Sequence, residues 1–248
     1  MRSFAAAVRF LTVLPVPESW AGDSGHLARS APFFPAVGLL IGALMASADY
    51  GVRWVLPIFP ATVLIVIGMI AISGGLHLDG LADTADGMLS ARPRERILEI
   101  MKDSRTGPMG VAAVVSVISL KIAALSAVPG TLRFATVLLM PLAGRCAIVL
   151  MMSVLPSARR EGSLTSVFAR TGATMQTALA IVVLLVVGWL GASWAGVIAG
   201  VVAVVTGLAV CICVHRRIGG YTGDTLGAVC EIVEIVPALA IAAWAFRV

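Results

Sequence analysis

Long apolar stretches, separated by short polar segments, recur along the whole chain of 248 residues. A helix needs about 20 apolar residues to cross the ~30 Å hydrocarbon layer of a bilayer. Seven stretches approach or reach that length, namely residues 32–50, 55–75, 109–128, 132–155, 177–193, 196–214 and 232–246. The pattern predicts an all-α fold: a polytopic membrane bundle of about seven transmembrane helices.

The overall balance of residues supports this prediction and excludes an ordinary soluble domain. Hydrophobic residues make up 59% of the chain and charged residues only 12%, with a mean hydropathy of +1.01. No internal repeat, low-complexity tract or long linker is visible, so residues 1–248 are predicted to form a single transmembrane domain. Everything functional must then be built from the ends of the spans and the loops between them.

The amino-terminal segment, about residues 1–30, is predicted to lie at the membrane surface. It opens with MRSFAAAVRFLTVLPVP, in which basic residues flank a short apolar run that ends at Pro15 and Pro17. No small-residue cleavage site follows that run. The segment is therefore interpreted as an uncleaved amphipathic helix and not as a signal peptide.

Two other features have plain structural interpretations. None of the four cysteines, Cys146, Cys211, Cys213 and Cys230, belongs to a CxxC pair suited to zinc, and we assign them to packing. The basic pI of about 9.5 would suit a nucleic-acid partner, but the basic residues are scattered through loops. Membrane topology accounts for the positive charge, and no nucleic-acid binding is expected.

Positive residues accumulate on one side when the chain alternates across seven spans from a cytoplasmic amino terminus, as the positive-inside rule requires. Thirteen of the 18 lysines and arginines then fall inside: Arg2, Arg9, Arg29, Arg92, Arg94, Arg96, Lys102, Arg105, Arg159, Arg160, Arg170, Arg216 and Arg217. Outside fall only Arg53, Arg133 and Arg247. This topology places residues 77–107 and 215–230 on the same, cytoplasmic side.

The segment HLDGLADTADG, residues 77–87, carries three aspartates at helical spacing. We interpret it as a cytoplasmic extension of the second span, followed by a break near residues 91–93 and a short amphipathic helix ending near Ser104. Asp79, Asp83 and Asp86 are spaced i, i+4, i+7, so they project within an arc of about 60° on one helix face.

Three like charges on one face need a compensating cation, since such pairs destabilise an isolated helix. Residues 76–90 contain no lysine or arginine. A hard divalent ion fits carboxylate oxygens, and Mg²⁺ is the usual one where phosphate supplies the other ligands. A solvated acidic helix end is the alternative. His77 lies beside the cluster, and we interpret it as a hydrogen-bonding neighbour in preference to a general base.

Two further segments carry candidate residues. In KDSRTGPMG, residues 102–110, Lys102 and Arg105 have the chemistry to bind phosphate oxygens, although the segment also suits a plain positive-inside flank. In RRIGGYTGDTLGAVCEIVE, residues 216–234, a glycine-rich loop is expected to present Asp224 and Thr225 before the last span begins.

Charged residues inside the predicted spans are candidates for functional roles because they are costly in lipid. Glu231 lies seven positions after Asp224, so the two would share a face on a continuous helix, whereas Glu231 and Glu234 would also suit a helix start. Lys121 and Arg145 are expected to face a polar interior and to pair with a carboxylate or with a bound anion.

Together these segments resemble a known family. GGLHLDGLADTADGMLSARPRERILEIMKDSRTGPMG (74–110) and GGYTGDTLGAVCEIVE (219–234) are similar to two signature regions of cobalamin synthase, adenosylcobinamide-GDP ribazoletransferase, and FLTVLPVP (10–17) resembles the amino-terminal segment of that family. The resemblance runs the length of the chain, and the first stretch is long and specific.

The resemblance implies a multi-pass enzyme of late cobalamin assembly in the bacterial inner membrane, with its active site at the cytoplasmic ends of the helices. Such an enzyme uses Mg²⁺ to join adenosylcobinamide-GDP to α-ribazole or its 5′-phosphate, releases GMP and gives adenosylcobalamin or its 5′-phosphate. The implied partners are the corrinoid nucleotide, α-ribazole and membrane lipid. The oligomeric state stays open, a homo-oligomer included, as do the number of Mg²⁺ ions and the corrinoid-binding residues.

The resemblance also suggests roles for individual residues. Asp79, Asp83, Asp86 and Asp224 would hold the metal on the diphosphate, with Glu231 supporting these ligands. Asp86, by analogy with related lipid enzymes, would take the proton from the ribose 3′-hydroxyl, and Asp79 and Asp83 complete the catalytic set. The remaining candidates for substrate binding are Lys102, Arg105, Arg92, Asp103, Thr225 and His77.

Two rival functions share part of this pattern. CDP-alcohol phosphotransferases, to which the resemblance implies distant kinship, carry D-x2-D-G-x2-A-R followed by G-x3-D-x3-D. Asp83-x2-Asp86-Gly87 matches the opening, but Arg92 comes one residue late and the second half is missing, which argues against a lipid-specific phosphotransferase. An ion-coupled transporter usually places its acids near the bilayer midplane within paired repeats, and no repeat is visible.

Overall fold

A computed structural model describes residues 2–22, 24–103, 105–158 and 174–247, and these residues are mostly helical and contain no strand. The short amino-terminal helices are α1 (Arg2–Leu11), α2 (Glu18–Ala21) and α3 (Ser24–Ala28). They are followed by α4 (Phe34–Val52), α5 (Ile58–Ile72), α6 (Leu76–Met88), α7 (Arg94–Ile100), α8 (Pro108–Ser126), α9 (Gly130–Val154), α10 (Thr174–Ile218) and α11 (Gly223–Ala245).

Five helical segments of the described chain are long and apolar enough to cross a membrane: Ala31–Val52, which contains α4, and α8, α9, α10 and α11. The pair α5 and α6 also passes that test, but it is bent by 88°. In this pair α5 is the apolar helix, and α6, which carries the three aspartates, turns away from it. The prediction of a polytopic all-α membrane bundle is confirmed.

The 45-residue helix α10 contains a reversal of the chain, so it consists of two arms that lie side by side. Ala192 and Ser193 leave the helical conformation, and Ser193 adopts a φ of 49°. Beyond this break the backbone returns so closely that a Cβ on Gly196 would lie 2.0 Å from the carbonyl oxygen of Gly188. The two arms, residues 174–191 and 194–218, correspond to the two predicted spans 177–193 and 196–214.

Helix α9 forms the centre of the bundle and packs against α4, α10 and α11. Glycines allow this close packing: a Cβ on Gly42 of α4 would lie 2.4 Å from the carbonyl oxygen of Leu138, and one on Gly144 would lie 2.8 Å from the sulfur of Cys230. Small residues at such contacts are typical of membrane bundles. All four cysteines are free thiols and three are buried, which agrees with the packing role.

The amino-terminal helix α1 is amphipathic, as expected. Its buried face consists of Ala6, Ala7, Val8 and Leu11, and the last three pack in one cluster with the start of α4, whereas Arg9 is exposed. The segment after α1 reaches the end of α5, where the Val13 N–H donates to the carbonyl oxygen of Ile72 (2.8 Å). The segment therefore closes the bundle beside α4 and α6.

The opposite end of the bundle is fixed by a buried arginine. Arg133 is fully buried, and its guanidinium donates to both carboxylate oxygens of Asp49 (2.9–3.0 Å), to Thr62 Oγ1 (2.7 Å) and to the Leu125 carbonyl (2.7 Å). These contacts join α4, α5, α8 and α9. A fully paired buried arginine satisfies the demand for partners that burial creates.

Two predicted boundaries were wrong. The last helix begins at Gly223, not near 232, because a capping box between Thr222 and Thr225 starts it well before the apolar run. The acidic helix α6 is not a straight continuation of the second span, because Gly74 and Gly75 have positive φ angles and break the chain there. Ser104, Arg159, Arg160 and Arg170 lie outside the described residues.

Candidate active site

The three aspartates of residues 77–87 lie on one continuous helix, as predicted. Helix α6 begins directly after Gly75, whose φ is 72°, and runs without a break to Met88. At spacings of four and three residues, Asp79, Asp83 and Asp86 therefore share one face. The opposite face, with Leu81 and Ala85, is buried against the bundle.

The structure brings Asp224 to the same place, although it lies far away in the sequence. Helix α11 crosses α6 where both carry glycines: a Cβ on Gly80 would lie 2.7 Å from the Asp224 carbonyl oxygen, and one on Gly227 would lie 2.9 Å from that of His77. Asp79 and Asp224 line one cavity. All four predicted metal ligands thus meet at one end of the bundle.

The carboxylates of this cluster repel one another. Partial burial raises the pKa of Asp83 to about 6, and the negative charges of Asp79, Asp224 and Asp86 contribute to the same rise. An acid with its pKa raised in this way is destabilised in its charged form at neutral pH. A bound cation would relieve that repulsion.

Asp86 also accepts hydrogen bonds from the start of α8, a structural role that the sequence pattern did not suggest. One carboxylate oxygen accepts a hydrogen bond from the N–H of Gly107 (2.6 Å), and the other accepts one from the N–H of Gly110 (2.8 Å). These groups lie at the amino-terminal end of α8, where free N–H groups favour a negative charge. Asp86 thereby fixes α6 to α8, and both of its carboxylate oxygens are engaged by these bonds.

The donor set fits a metal ion that is shared with a substrate. Across the described ranges, no three His, Cys, Asp or Glu side chains converge on a ready-made metal site. Mg²⁺, however, is commonly held by one or two carboxylates, with substrate phosphates and water completing its shell. Asp79, Asp83 and Asp224 present hard oxygen donors of that kind next to a cavity.

Of the predicted phosphate-binding residues, Arg105 and Asp103 lie beside Asp86. Arg105 forms two hydrogen bonds with Asp103 (2.7 and 3.0 Å). Together with Asp86 and Gly107 these two residues line a cleft of about 200 Å³. Lys102 and Arg92 are both exposed. Lys102 follows α7 in the sequence, and Arg92 lies between α6 and α7.

Sequence reasoning missed two groups of charged residues at this end. Arg96 and Glu99 of α7 pair with each other and line the same cleft, and they carry no distinguishing pattern in the sequence. Arg94 and Arg217 fasten the turn between α6 and α7 to the end of α10. Arg94 donates to the Ile218 carbonyl (2.8 Å), and Arg217 donates to that of Met88 (2.7 Å).

A buried network of charges lies behind the cluster and resolves the open alternative for Lys121 and Arg145: both pair with carboxylates. Lys121 donates to Glu231 (2.7 Å) and Glu234 (3.2 Å), and Arg145 donates to Glu234 (3.4 Å). The alternative that the two glutamates merely suit a helix start is wrong, since both are buried well inside α11. Glu231 also contacts Lys121 instead of supporting Asp224 directly, so its supporting role would be indirect.

Two predicted substrate-binding residues make contacts within the bundle: both hydrogen-bonding functions of the Thr225 hydroxyl are used, whereas only one ring nitrogen of His77 is. The Thr225 hydroxyl accepts from the Thr222 N–H (2.8 Å) and donates to the Thr222 carbonyl (3.0 Å), which starts α11. The expected presentation of Thr225 by a loop is therefore wrong. His77 is buried, and its Nδ1 lies 3.4 Å from a guanidinium nitrogen of Arg145.

The family model for cobalamin-5-phosphate synthase matches residues 3–242. The chain belongs to the cobalamin-5-phosphate synthase family. Curated relatives named adenosylcobinamide-GDP ribazoletransferase include those of Geotalea daltonii (39% identity, covering 95% of each chain) and Desulforamulus reducens (41% identity, covering 94% of this chain and 92% of the relative). A relative of that name from Roseiflexus is 39% identical over 93% of this chain and 85% of its own. No solved structure matches the chain.

The crossing of α6 and α11 gives a first prediction for this member of the cobalamin-5-phosphate synthase family. Gly227→Ala is expected to lower activity at least tenfold, because the added Cβ would meet the His77 backbone at 2.9–3.1 Å and push Asp224 away from Asp79. Gly130→Ala, at the start of α9 and outside the cavity, is the control, since its Cβ would meet nothing within 4 Å. The test is the initial rate of the transferase reaction for each purified variant and for wild type. Equal rates for Gly227→Ala and the control would contradict the prediction.

Proposed function

We propose that this chain joins adenosylcobinamide-GDP to α-ribazole or its 5′-phosphate, with release of GMP. The observation that carries the proposal is that α6 and α11, which are distant in the sequence, bring four carboxylates to one end of the bundle, in a chain that matches ribazoletransferases over nearly its whole length. Clustered carboxylates supply hard oxygen ligands for a metal ion. Such a site suits phosphoryl transfer, in which positioning and charge neutralisation supply most of the catalysis.

Mg²⁺ is the proposed cofactor, and Asp79, Asp83 and Asp224 would hold it, with Asp86 beside them. When bound, the ion would neutralise the diphosphate and polarise the phosphorus that is attacked. Asp79 and Asp224 line the cavity, so they are the ligands closest to an incoming substrate. Asp86 keeps its hydrogen bonds to the start of α8 and holds the acidic face in position.

The proton of the attacking ribose hydroxyl needs an acceptor. Asp86 was the expected base by analogy, but both of its oxygens already accept backbone hydrogen bonds. Asp79 is exposed on the same face and lines the cavity. We therefore favour Asp79 for this role and assign Asp86 to positioning.

Basic residues at the same end would neutralise the phosphates. Arg105 and Lys102 follow α7, and Arg92 precedes it. Arg105 presents its planar fork to Asp103 in the cleft beside Asp86, and a phosphate would exchange with that carboxylate. Asp103 would then keep Arg105 oriented until the nucleotide arrives.

We infer that this end of the bundle faces the cytoplasm, in the inner membrane of a bacterium. The support is the excess of basic residues at that end, among them Arg94, Arg96, Arg216 and Arg217, against few at the other. Both nucleotide substrates would then meet the site from the cytoplasm.

The direct test is GMP release from adenosylcobinamide-GDP and α-ribazole by the purified protein, with and without Mg²⁺. We expect stoichiometric GMP and cobalamin product only when both substrates and Mg²⁺ are present. Product formation from CDP-lipid and an alcohol would instead support a CDP-alcohol phosphotransferase. Uptake of a corrinoid into vesicles without any product would support a transporter.

The pH dependence of metal activation provides a further prediction. Because the pKa of Asp83 is raised to about 6, this ligand is ionised above pH 6 and becomes protonated as the pH falls below that value. Protons and Mg²⁺ then compete, so the half-saturating Mg²⁺ concentration is expected to rise up to about tenfold per pH unit below pH 6. Rates measured against Mg²⁺ at pH 5, 6 and 7.5 test this, and a constant half-saturation value would contradict it.

A further inference from the structure

An apolar cavity opens beside the aspartate cluster and is separate from the charged cleft. It has a volume of about 180 Å³ and lies between α1, α4, α6, α9 and α11. Its apolar wall includes Phe10, Phe34, Ile148, Met152 and Leu226, and the rings of Phe10 and Phe34 are stacked with centroids 6.1 Å apart. Asp79 and Asp224 form its polar end.

The cavity also has one buried polar group with an unused hydrogen-bonding capacity. His77 lines the cavity and is only 3% exposed. Arg145 is always a donor, so the contact between its guanidinium and His77 Nδ1 (3.4 Å) requires Nδ1 to accept. The proton of the neutral ring then resides on Nε2, which has no hydrogen-bond partner among the described residues. A buried donor of this kind calls for an acceptor.

We propose that this cavity binds the aromatic base of α-ribazole, and the inference rests on the proposed function. The dimethylbenzimidazole base is flat and apolar, apart from one unsubstituted ring nitrogen that can accept a hydrogen bond. His77 Nε2–H donates to that nitrogen, the two phenylalanines and Met152 contact the ring, and the ribose lies toward Asp79 and Asp224. This places the attacking hydroxyl beside the proposed metal ligands.

The other parts of the two substrates fit the cavity less well. Guanine carries several polar groups along its edges, and the wall offers it few partners, so those groups would lose their hydrogen bonds. The corrin ring is several times too large for 180 Å³. A pocket that is mostly apolar, with one well-placed polar group, is typical of a site for a small aromatic ligand.

Direct binding of α-ribazole tests the assignment without turnover. Equilibrium dialysis of labelled α-ribazole against the purified full-length protein, without the corrinoid substrate, is compared between wild type and Met152→Phe, which fills the cavity. We expect the Kd to rise at least tenfold, and the KM for α-ribazole to rise with it while the KM for adenosylcobinamide-GDP stays unchanged. Val154→Phe, at an exposed position on the same helix, is the matched control and should bind like wild type.

A ligand analogue tests the hydrogen bond without altering the protein. The matching dimethylindole riboside replaces the acceptor nitrogen by C–H, and we expect it to bind at least tenfold more weakly than α-ribazole. Suppose that the wild-type enzyme is active. If Met152→Phe then binds α-ribazole as tightly as wild type does, or if wild type binds the indole analogue as tightly as α-ribazole, the cavity assignment alone is overturned. A wild-type protein that neither binds α-ribazole nor releases GMP would overturn the proposed function as well.

Discussion

Asp83→Asn is expected to lower the transfer rate by at least about 10²-fold while the protein still inserts and folds. Asp83 lies at the centre of the acidic face, where it is influenced by Asp79, Asp86 and Asp224. An amide oxygen is a far weaker ligand for Mg²⁺ than a carboxylate, and it supplies no negative charge. GMP release by the purified variant at saturating Mg²⁺ measures the loss.

The same substitution is expected to stabilise the protein when no divalent ion is present. An aspartate whose pKa is raised from 3.8 to about 6 in the folded protein disfavours folding above pH 6, where it must carry its charge. Asparagine removes that charge. At pH 7.5 in EDTA the gain is about 1 kcal/mol after allowance for solvent screening, or roughly 2–4 °C in Tm. At pH 4 the difference should largely vanish, because Asp83 is then protonated.

Glu95→Gln provides the control, since Glu95 is an exposed acid on α7 outside the cluster. It should change neither the rate nor the Tm in EDTA appreciably. Full activity of Asp83→Asn would remove the proposed metal site, and a lower Tm in EDTA would show that the carboxylates do not repel one another.

The sequence predicted those parts of the fold that depend on local periodicity. Apolar runs of the length of a bilayer identified the crossing helices, including both arms of α10. The i, i+4, i+7 spacing placed Asp79, Asp83 and Asp86 on one face because α6 is regular from Leu76 to Met88. The inferred topology also placed Asp224 on the same side as these residues, and the structure brings them into one cluster.

Features that depend on tertiary pairing were not visible in the sequence. Glu231 and Glu234 lower the hydropathy of the last span, so its start was placed too late, whereas Lys121 balances their charge from a helix 110 residues away in the chain. The bend between α5 and α6 depends on two glycines whose positive φ angles cannot be inferred from the sequence alone. The cavity arises only where five helices meet.

Lys121→Met is expected to destabilise the protein by about 3–5 kcal/mol, the largest stability effect among the changes considered. Lys121 is 1% exposed, and its amino group is the shared partner of Glu231 and Glu234, which are each 3% exposed. Without it, two buried carboxylates depend on Arg145, which pairs with Glu234 (3.4 Å) and not with Glu231 among the described contacts. The low-dielectric interior makes an uncompensated charge costly. Thermal unfolding in lipid nanodiscs measures the loss.

The double variant Lys121→Met, Glu231→Gln distinguishes the loss of charge balance from the loss of packing. It removes one charge of each sign, so Arg145 and Glu234 remain as a balanced pair, and we expect most of the stability to return. Arg96→Met is the matched control, since the Arg96–Glu99 pair is exposed and should contribute at most about 1 kcal/mol. If the double variant is no more stable than Lys121→Met, the network is held by the shape of the lysine side chain and not by its charge. If Lys121→Met alone is as stable as wild type, the two carboxylates have found another partner. The ion pairs of Lys121 would then not be what holds α8 against α11.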